Sequence, residues 1–544
     1  MMKTAFIAAL LAVAALPATS AELADTLEVY NPQVPLLIGN NDNVLMYAKI
    51  TAEGGERIDN VTLQFDTAAT DMSQIASVTL YYSGVEAHHR AGKNFFKPLT
   101  ESYIDSKGDA VGAFSVKLDC KDKLGGTLVL DANQSLSAGD NYFWVSVKLA
   151  DDASLTSRVA ARVAGTEVDG RRAVVVDRTS NPAPRRTAVA VRRAGDNGVA
   201  AYRIPGLVTT DKGTLLAVYD VRYNNSTDLQ QQIDVGLSRS TDGGRTWSDM
   251  IIPLSFAGVG GLPDAQNGVG DPCILYDGVN DVAWIAALWC HGMGNKMAWF
   301  GSQPGIDIGV TGQLVLTRSG DDGVTWSQPY NVTRMVKDPE WHLLLQGPGR
   351  GITMRDGTLV FPIQYIAADR IPCAGIMYSR DKGETWRITN AARSNTTESQ
   401  VAELPDGSLM LNMRDNRKGS RAVSVTGDLG ETWTEHSSSR SALREPVCMA
   451  SLISVPGGEN VTGKSLMLFS NPDTEKERRN ITIKLSTDDG TTWPAGQSVL
   501  LDEDLGWGYS CLTMVDASHV GILYESSVAN MTFQVVPLAD LMGK

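Results

Sequence analysis

The chain has 544 residues, of which 43% are hydrophobic and 20% are charged, so it can form a substantial core and more than one domain. Its formal net charge of −14 at pH 7, without any basic run, argues against nucleic-acid binding. Beyond the N-terminus no apolar run is long enough to predict a segment that spans a bilayer.

Residues 1 to 21 have the layout of a signal peptide. Lys3 precedes an apolar run from Ala5 to Leu16, and small residues come after it. This layout predicts cleavage near Ser20 or Ala21. We therefore expect an exported protein, either periplasmic or secreted.

Residues 22 to 180 are predicted to form a small β-sandwich. Apolar and polar residues alternate over 61–65, 78–82, 127–130 and 142–147, and turn-forming residues separate these stretches. The Pro-rich stretch 181–186 breaks the composition and is typical of a linker. The sequence leaves open whether this domain binds carbohydrate or supports the larger domain beyond the linker, although support is favoured.

One eight-residue motif recurs after the linker. The form S/T-x-D-x-G-x-T-W occupies 240–247, 319–326, 379–386, 426–433 and 486–493. It predicts a turn between antiparallel strands, in which the hydroxyl and the carboxylate accept backbone N–H groups and the glycine adopts a positive φ. The tryptophan then packs beside its own hairpin. A calcium loop is the alternative, but the motif has only one fixed Asp where an EF-hand needs several carboxylates.

The spacing of the motif predicts the architecture of residues 187 to 544. Successive tryptophans of the motif lie 79, 60, 47 and 60 residues apart. These intervals suit one four-stranded sheet per repeat, with longer loops in some repeats. They therefore predict an all-β protein that contains a β-propeller. In a propeller, residues that are distant in sequence meet where loops from several blades converge.

The stretch Arg203-Ile204-Pro205, joined to the five motifs, resembles the bacterial exo-sialidases (neuraminidases) over the whole of the larger domain. The resemblance implies a six-bladed propeller. It also implies retaining hydrolysis of terminal sialic acids from glycoproteins and glycolipids, through a tyrosyl intermediate and without a cofactor. The sequence has no C-x-x-C motif or His-rich cluster that would indicate a metal site.

The resemblance also implies which residues react. Asp228 is similar to the acid/base residue of the family. Glu398 and Tyr509 resemble its nucleophile pair. A sialic acid carries a carboxylate on its anomeric carbon, so a carboxylate nucleophile would be repelled, whereas a phenol deprotonated by a glutamate would not. As a general acid, Asp228 needs a site that raises its pKa.

Six further residues are expected to bind the sugar or to support the site. The carboxylate of the sugar requires planar, bidentate, permanently charged partners, which arginines provide and lysines do not. The resemblance implies an arginine triad of Arg203, Arg414 and Arg478, a carboxylate that holds Arg203 at Glu525, and contacts to the 4-hydroxyl and amide side of the sugar from Arg222 and Asp271.

Several alternatives remain open at this stage. Arg479 competes with Arg478 for the third position of the triad, because both lie in one charged stretch. Cys273 and Cys290 could form a disulfide after export, although buried thiols are favoured. A trans-sialidase would use the same residues, whereas the presence of all three reacting residues argues against a propeller that only binds glycans. The sequence does not determine linkage preference or oligomeric state.

Overall fold

The computed structural model describes residues 25–85, 115–294 and 296–543, and the backbone of 103–104 and 110–111. The predicted signal peptide lies outside these ranges. Strands account for 49% of the chain and helices for 6%, so the all-β class is confirmed.

Two sheets form the N-terminal region and share one core. The first contains, in spatial order, Val174–Asp177, Thr26–Tyr30, Asn43–Ala52, Gly139–Leu149, Ile75–Gly84 and Val116–Lys121. The second contains Arg171–Arg172, Ala161–Val168, Arg57–Phe65 and Thr127–Ser135. Alternate side chains of both sheets enter the same cluster, including Leu27, Phe143, Leu63 and Leu130, each 0% exposed. A short hairpin pairs Tyr103–Ile104 with Ala110–Val111.

Six further sheets, numbered here in chain order, follow in the part of the chain that the structure describes. Sheet 1 comprises Ala201–Thr209, Leu215–Arg222, Ile233–Ser240 and Ile251–Leu254. Sheet 2 comprises Val269–Asp277, Val282–Trp289, Gln313–Ser319, Tyr330–Asn331 and Gly349–Arg350. Sheet 3 comprises Leu343–Gln346, Leu359–Ile366, Pro372–Ser379 and Arg387–Ile388, with Ile352–Thr353 and Arg393–Ser394 beside it.

The remaining sheets continue the same pattern. Sheet 4 comprises Thr396–Glu403, Leu409–Asp415, Ala422–Thr426 and Thr434–Glu435. Sheet 5 comprises Ser451–Val455, Leu466–Pro472, Ile481–Ser486 and Ser498–Asp502. Sheet 6 comprises Ser510–Asp516, His519–Tyr524, Met531–Pro537, Arg185–Arg192 and Arg158–Val159, with Leu36–Leu37 beside it. A two-stranded ribbon pairs Gly419–Ser420 with Arg444–Glu445.

Helical segments are short. The α-helices are Ala298–Gly301 and Thr333–Val336. Single 3-10 turns occupy Met72–Gln74, Asp196–Gly198, Val259–Gly261, Asp264–Gln266, Gly457–Glu459, Ala495–Gln497 and Leu538–Asp540. In the described part of the chain, none of the helices has the length and apolar character needed to cross a bilayer.

Each eight-residue motif forms the predicted turn. In the first, the Ser240 hydroxyl accepts the Gly244 N–H at 2.9 Å, and Asp242 Oδ1 accepts the Thr246 N–H at 3.0 Å. The Trp247 indole N–H donates to the Gly244 carbonyl at 3.0 Å. The carboxylate is therefore engaged by its own turn, as it is in the other four motifs.

The glycines of the motifs also set the packing between sheets. A Cβ on Gly244 would lie 1.9 Å from the Phe533 ring of sheet 6. One on Gly323 would lie 2.7 Å from Leu216 of sheet 1, and one on Gly383 would lie 2.4 Å from Trp284 of sheet 2. Each of these turns therefore packs against the preceding sheet, and sheet 1 packs against sheet 6.

Sheet 6 joins distant parts of the chain. The strand Arg185–Arg192 pairs with Met531–Pro537, and its register places Val189 opposite Phe533. It also pairs with Arg158–Val159 and with Leu36–Leu37 of the N-terminal region. Ion pairs from Arg158 and Arg186 to Asp540 strengthen this junction.

All six cysteines are free thiols. Cys273 and Cys290 are both 0% exposed. Because burial disfavours a thiolate, it raises the pKa of each thiol well above its usual value. The disulfide alternative is therefore not formed in this structure.

Candidate active site

Three backbone irregularities lie where predicted site residues occur. The strand register shifts between Arg203 and Gly206 in sheet 1, between Gly270 and Cys273 in sheet 2, and between Thr396 and Ser399 in sheet 4. Each shift falls on the first strand of its sheet. A β-bulge turns a side chain away from the regular alternation. The irregularities therefore change the direction in which the side chains of Arg203, Asp271 and Glu398 leave their strands.

Glu525 holds Arg203 and the backbone around it. Its carboxylate accepts Arg203 Nε at 2.7 Å and Nη2 at 3.4 Å. The same carboxylate accepts the N–H of Ile204, whose φ of 62° is strained for a β-branched residue, and the N–H of Tyr509, both at 3.0 Å. Glu525 is 3% exposed. One buried carboxylate thus fixes both Arg203 and the start of the strand that follows Tyr509.

Trp507 covers the face of the Arg203 guanidinium. The Arg203 Cζ lies 3.9 Å from the Trp507 ring centroid and 5.4 Å from that of Tyr509. Such contacts attract a cation to the ring faces. With Glu525 along one edge, the guanidinium has little freedom to rotate. Trp507 was not predicted from the sequence, and its only signal there was its position two residues before Tyr509.

Tyr509, Glu398 and Arg414 form one hydrogen-bonded group. The Tyr509 hydroxyl donates a short hydrogen bond to Glu398 Oε1. Arg414 Nη1 donates to Glu398 Oε2 at 2.6 Å and to the Tyr509 hydroxyl at 3.2 Å. Glu398 and Arg414 belong to sheet 4, and Tyr509 immediately precedes the first strand of sheet 6. A phenol with a carboxylate beside it and a cation over its oxygen is suited to nucleophilic attack.

The environment of Tyr509 favours the protonated phenol. Burial raises its pKa well above the usual value, and the negative charge of Glu398 raises it further. The positive charges of Arg414 and Arg478 oppose this increase but do not outweigh it. Any attack by this oxygen therefore requires that a base remove its proton, and Glu398 is in contact with that proton.

The two neighbouring arginines of the charged stretch point in different directions. The Arg478 Cζ lies 5.6 Å from the Tyr509 ring centroid, and its Nη1 donates to the Trp507 carbonyl at 3.0 Å. Arg479 Nε donates to the Glu503 carbonyl at 3.1 Å, and its Nη1 lies 3.6 Å from Glu477. Geometry thus groups Arg478, and not Arg479, with Tyr509.

Asp228 lies in the loop between the second and third strands of sheet 1. Its side chain is 58% exposed, and its Oδ1 accepts Arg222 Nη1 at 2.7 Å and lies 3.9 Å from Arg203 Nη1. Burial alone would raise the pKa of this carboxyl. The positive charges of Arg222, Arg203 and Arg478 outweigh burial and hold that pKa below its usual value. In this structure the surrounding groups therefore lower the pKa that a general acid at Asp228 would need to have raised.

Arg222 is enclosed more completely than the sequence suggests. Its side chain is 0% exposed. Besides Asp228, its guanidinium donates to the Ser226 carbonyl at 2.7 Å and to Asp220 Oδ2 through Nε at 3.1 Å and Nη2 at 2.9 Å. In this conformation Arg222 contacts Asp228 and has no accessible surface of its own. Asp220 was not predicted from the sequence.

Asp271 lies beside this group on sheet 2. It has a φ of 56°, its N–H donates to Asp220 Oδ1 at 2.8 Å, and its carbonyl accepts a short hydrogen bond from Gln346. Burial, followed by repulsion from Asp220 and Asp228, raises the pKa of Asp271 well above its usual value. Burial likewise raises the pKa of Asp220 to about 6, although Arg222 opposes it.

The structure therefore brings all nine predicted residues into two linked groups. One contains Arg203, Glu398, Arg414, Arg478, Tyr509 and Glu525, and the other contains Arg222, Asp228 and Asp271. The 3.9 Å approach of Arg203 to Asp228 connects them. A separate cavity of about 620 Å³ lies at the linker of the N-terminal region, where Asn31, Phe65 and Arg162 are among its lining residues, and it includes none of the nine.

Comparison with known proteins adds independent findings. The model described as N-terminal domain of BNR-repeat neuraminidase matches residues 24–172, and the model described as BNR repeat-like domain matches residues 204–525. A sialidase of Bacteroides fragilis is 54% identical over 524 residues, which are 96% of this chain and 96% of that protein. A sialidase of Micromonospora viridifaciens is 32% identical over 342 residues, which are 61% of this chain and 50% of that protein.

A solved structure extends the likeness to three dimensions. It is described as a Hadza microbial sialidase, and it superposes with a TM-score of 0.90 at 53% identity over 95% of this chain and 100% of that one. With the arrangement of arginines and carboxylates around Tyr509, these findings define an enzyme of the glycoside hydrolase class. The chain belongs to the BNR-repeat neuraminidase family.

Proposed function

We propose that this protein is an exo-α-sialidase that releases terminal sialic acids from glycoproteins and glycolipids with retention of configuration. The observation that carries the proposal is the contact of Tyr509 with Glu398 and Arg414, with Arg203 and Arg478 against the Tyr509 ring. Three guanidiniums around one phenol suit a substrate whose reacting carbon bears a carboxylate.

Arg203, Arg414 and Arg478 bind the substrate carboxylate. Glu525 and Trp507 fix the orientation of Arg203, so that little side-chain entropy is lost on binding. The chain carries a net charge of −14, but repulsion of an anion is screened beyond about 8 Å at physiological salt. The local arginines therefore dominate the interaction.

The first chemical step forms a bond between Tyr509 and the anomeric carbon. Glu398 takes the phenolic proton as the oxygen attacks, and Asp228 protonates the departing oxygen. In the second step Asp228 takes a proton from water as the water attacks the anomeric carbon, the bond to Tyr509 breaks, and Glu398 returns its proton to the phenolic oxygen. A phenol avoids the repulsion that a carboxylate nucleophile would meet at a carbon that already bears a carboxylate.

Substrate binding changes the electrostatics around Asp228. Arg203 and Arg478 help to depress the pKa of this carboxyl, and both belong to the triad proposed to bind the substrate carboxylate. A bound anion compensates the charge of these two arginines, so the pKa of Asp228 rises from its depressed value, although Arg222 still opposes the rise. Binding of the substrate thus increases the proton affinity of Asp228.

We further propose a six-bladed propeller over residues 187–544, preceded by a supporting β-sandwich over residues 22–180. The order of sheets 1 to 6 and the packing of the Gly244 turn on Phe533 of sheet 6 support a closed ring of blades. The signal-peptide layout of residues 1–21 supports export to the periplasm or the medium.

The stereochemistry of the first product tests the covalent step. Two inversions at the anomeric carbon give retention, so we expect the α anomer of free sialic acid at the earliest times. Proton NMR during hydrolysis of a sialyl-galactoside measures this directly. Early β anomer would contradict the tyrosyl intermediate. Added lactose provides a further measurement, since formation of sialyl-lactose in place of free sialic acid would indicate a transferase.

The third arginine is tested by two neighbouring substitutions. Arg478→Ala should raise KM steeply and lower kcat, because it removes a cation that lies against Tyr509. Arg479→Ala is the matched control and should change both constants little, since its guanidinium contacts Glu503 and Glu477. Steady-state kinetics on a fluorogenic sialoside measure both variants. The opposite ranking would assign the third position of the triad to Arg479.

A further inference from the structure

Two buried carboxylates in this site make the same set of contacts. Glu525 binds Arg203 and the backbone N–H of Tyr509. Asp220 binds Arg222 and the backbone N–H of Asp271. In each case a carboxylate joins a guanidinium of sheet 1 to the backbone of a site residue, and for Asp220 that residue belongs to the neighbouring sheet 2. The similarity indicates that Asp220 organises the acid side of the site as Glu525 organises the nucleophile side.

Asp220 determines which way Arg222 faces. Its Oδ2 accepts both Nε at 3.1 Å and Nη2 at 2.9 Å, which fixes the plane of the guanidinium. Nη1 then points to the Ser226 carbonyl and to Asp228 Oδ1, each at 2.7 Å. The position of Asp228 is thus set by a guanidinium whose orientation is set by Asp220.

The other oxygen of Asp220 fixes the neighbouring strand. Oδ1 accepts the N–H of Asp271 at 2.8 Å, where the backbone has a φ of 56°. A Cβ on Gly270 would lie 2.8 Å from the same Oδ1. A methyl group at position 270 would therefore displace the Asp220 carboxylate from its present position. Asp220 itself is 0% exposed, so it has no surface for a substrate to touch.

We propose that Asp220 is a positioning residue for the proton donor Asp228, acting through Arg222 and held in register with sheet 2 by the Asp271 N–H. This inference rests on the acid role of Asp228 proposed above. The negative charge of Asp220 also offsets the charge that Arg222 presents to Asp228. Without that offset, Asp228 would be held more firmly in its ionised form, which cannot donate a proton.

Asp220→Asn tests the inference with little change of shape. Its amide oxygen can still accept the Asp271 N–H, but its NH₂ group faces the Nε and Nη2 donors of Arg222, so the guanidinium loses its partner. We expect kcat/KM on a sialyl-galactoside to fall about 10- to 100-fold. On an aryl sialoside, whose leaving group departs without a proton, the loss should be much smaller. In an Asp228→Ala background, Asp220→Asn should cause little further loss on the sialyl-galactoside.

Asp277→Asn provides the matched control. Asp277 lies on the same strand as Asp271 and is 1% exposed, but its carboxylate binds the turn at Val279 and Asn280. Any decrease of kcat/KM in Asp277→Asn should therefore be the same on the sialyl-galactoside and on the aryl sialoside. Equal losses on both substrates for Asp220→Asn, or full additivity with Asp228→Ala, would overturn the inference. If the wild-type protein released no sialic acid, the proposed function would fail before this test was reached.

Gly270→Ala serves if Asp220→Asn does not fold. It changes no charge, and the nearest atoms to the added methyl group are those of the Asp220 carboxylate. As for Asp220→Asn, we expect kcat/KM to fall more on the sialyl-galactoside than on the aryl sialoside. A loss that is equal on both substrates would contradict the role of Asp220.

Discussion

Tyr509→Phe should fold normally and lose turnover by at least about 10³-fold, since without the nucleophilic oxygen only binding and electrostatic stabilisation remain. The substitution leaves the buried ring in place, and with it the contacts to Arg203 and Arg478. It also leaves the salt bridge of Glu398 with Arg414, so the carboxylate keeps a partner. Steady-state hydrolysis of a fluorogenic sialoside measures the loss.

Binding distinguishes a lost nucleophile from a damaged site. Because the arginines remain, the variant should still bind a transition-state analogue of sialic acid, and calorimetry measures that affinity. Turnover near that of the wild type would exclude Tyr509 as the nucleophile. Loss of analogue binding together with turnover would mean that the hydroxyl organises the arginines and that the kinetic result reports binding.

Asp228→Ala should reduce kcat/KM on a sialyl-galactoside by roughly 10²- to 10⁴-fold, the range for general acid–base catalysis. A sugar hydroxyl departs poorly without a proton, whereas a phenol or an umbelliferone departs unaided. The loss on an aryl sialoside should therefore be much smaller. The comparison uses kcat/KM because the proposed mechanism also makes Asp228 the base of the second step, where its loss would lower kcat for both substrates.

A second variant separates charge from proton donation at this position. Asp228→Asn keeps the size of the side chain and a partner for Arg222 Nη1, but it removes the acidic proton. It should show the same dependence on the leaving group as Asp228→Ala. Equal losses of kcat/KM on both substrates in either variant would mean that Asp228 positions the sugar, and another acid would then have to be found.

The sequence alone predicts those features that depend on local chemistry. The motif at 240–247 specifies its own turn, because the Ser240 hydroxyl, the Asp242 carboxylate and Gly244 form the bonds within eight residues. Arg203 was recognisable only because the motifs accompany it. The turn needs only eight contiguous residues, whereas the assignment of Arg203 needs motifs that extend from 240 to 493.

Features that depend on orientation could not be predicted. Arg478 and Arg479 are adjacent, and only the fold shows that one faces Tyr509 while the other faces Glu503. The sequence did indicate that Asp220 lies on the same face of the strand as Arg222, because residues two apart on a strand share a face. The sequence does not show that this face is fully buried. The depressed pKa of Asp228 depends in the same way on three guanidiniums that converge from different parts of the chain.

The pairing of Arg185–Arg192 with Met531–Pro537 has a consequence for synthesis on the ribosome. The first of these strands emerges long before its partner, and at about 5 to 20 residues per second it waits on the order of half a minute. An unpaired strand edge during that interval is open to association with other chains. Leu36–Leu37 and Arg158–Val159 are already available, and both pair with that strand. Those two segments pair with residues 185–188, so they can order the first half of the strand, whereas Val189, Ala190 and Arg192 pair with the strand that is made last.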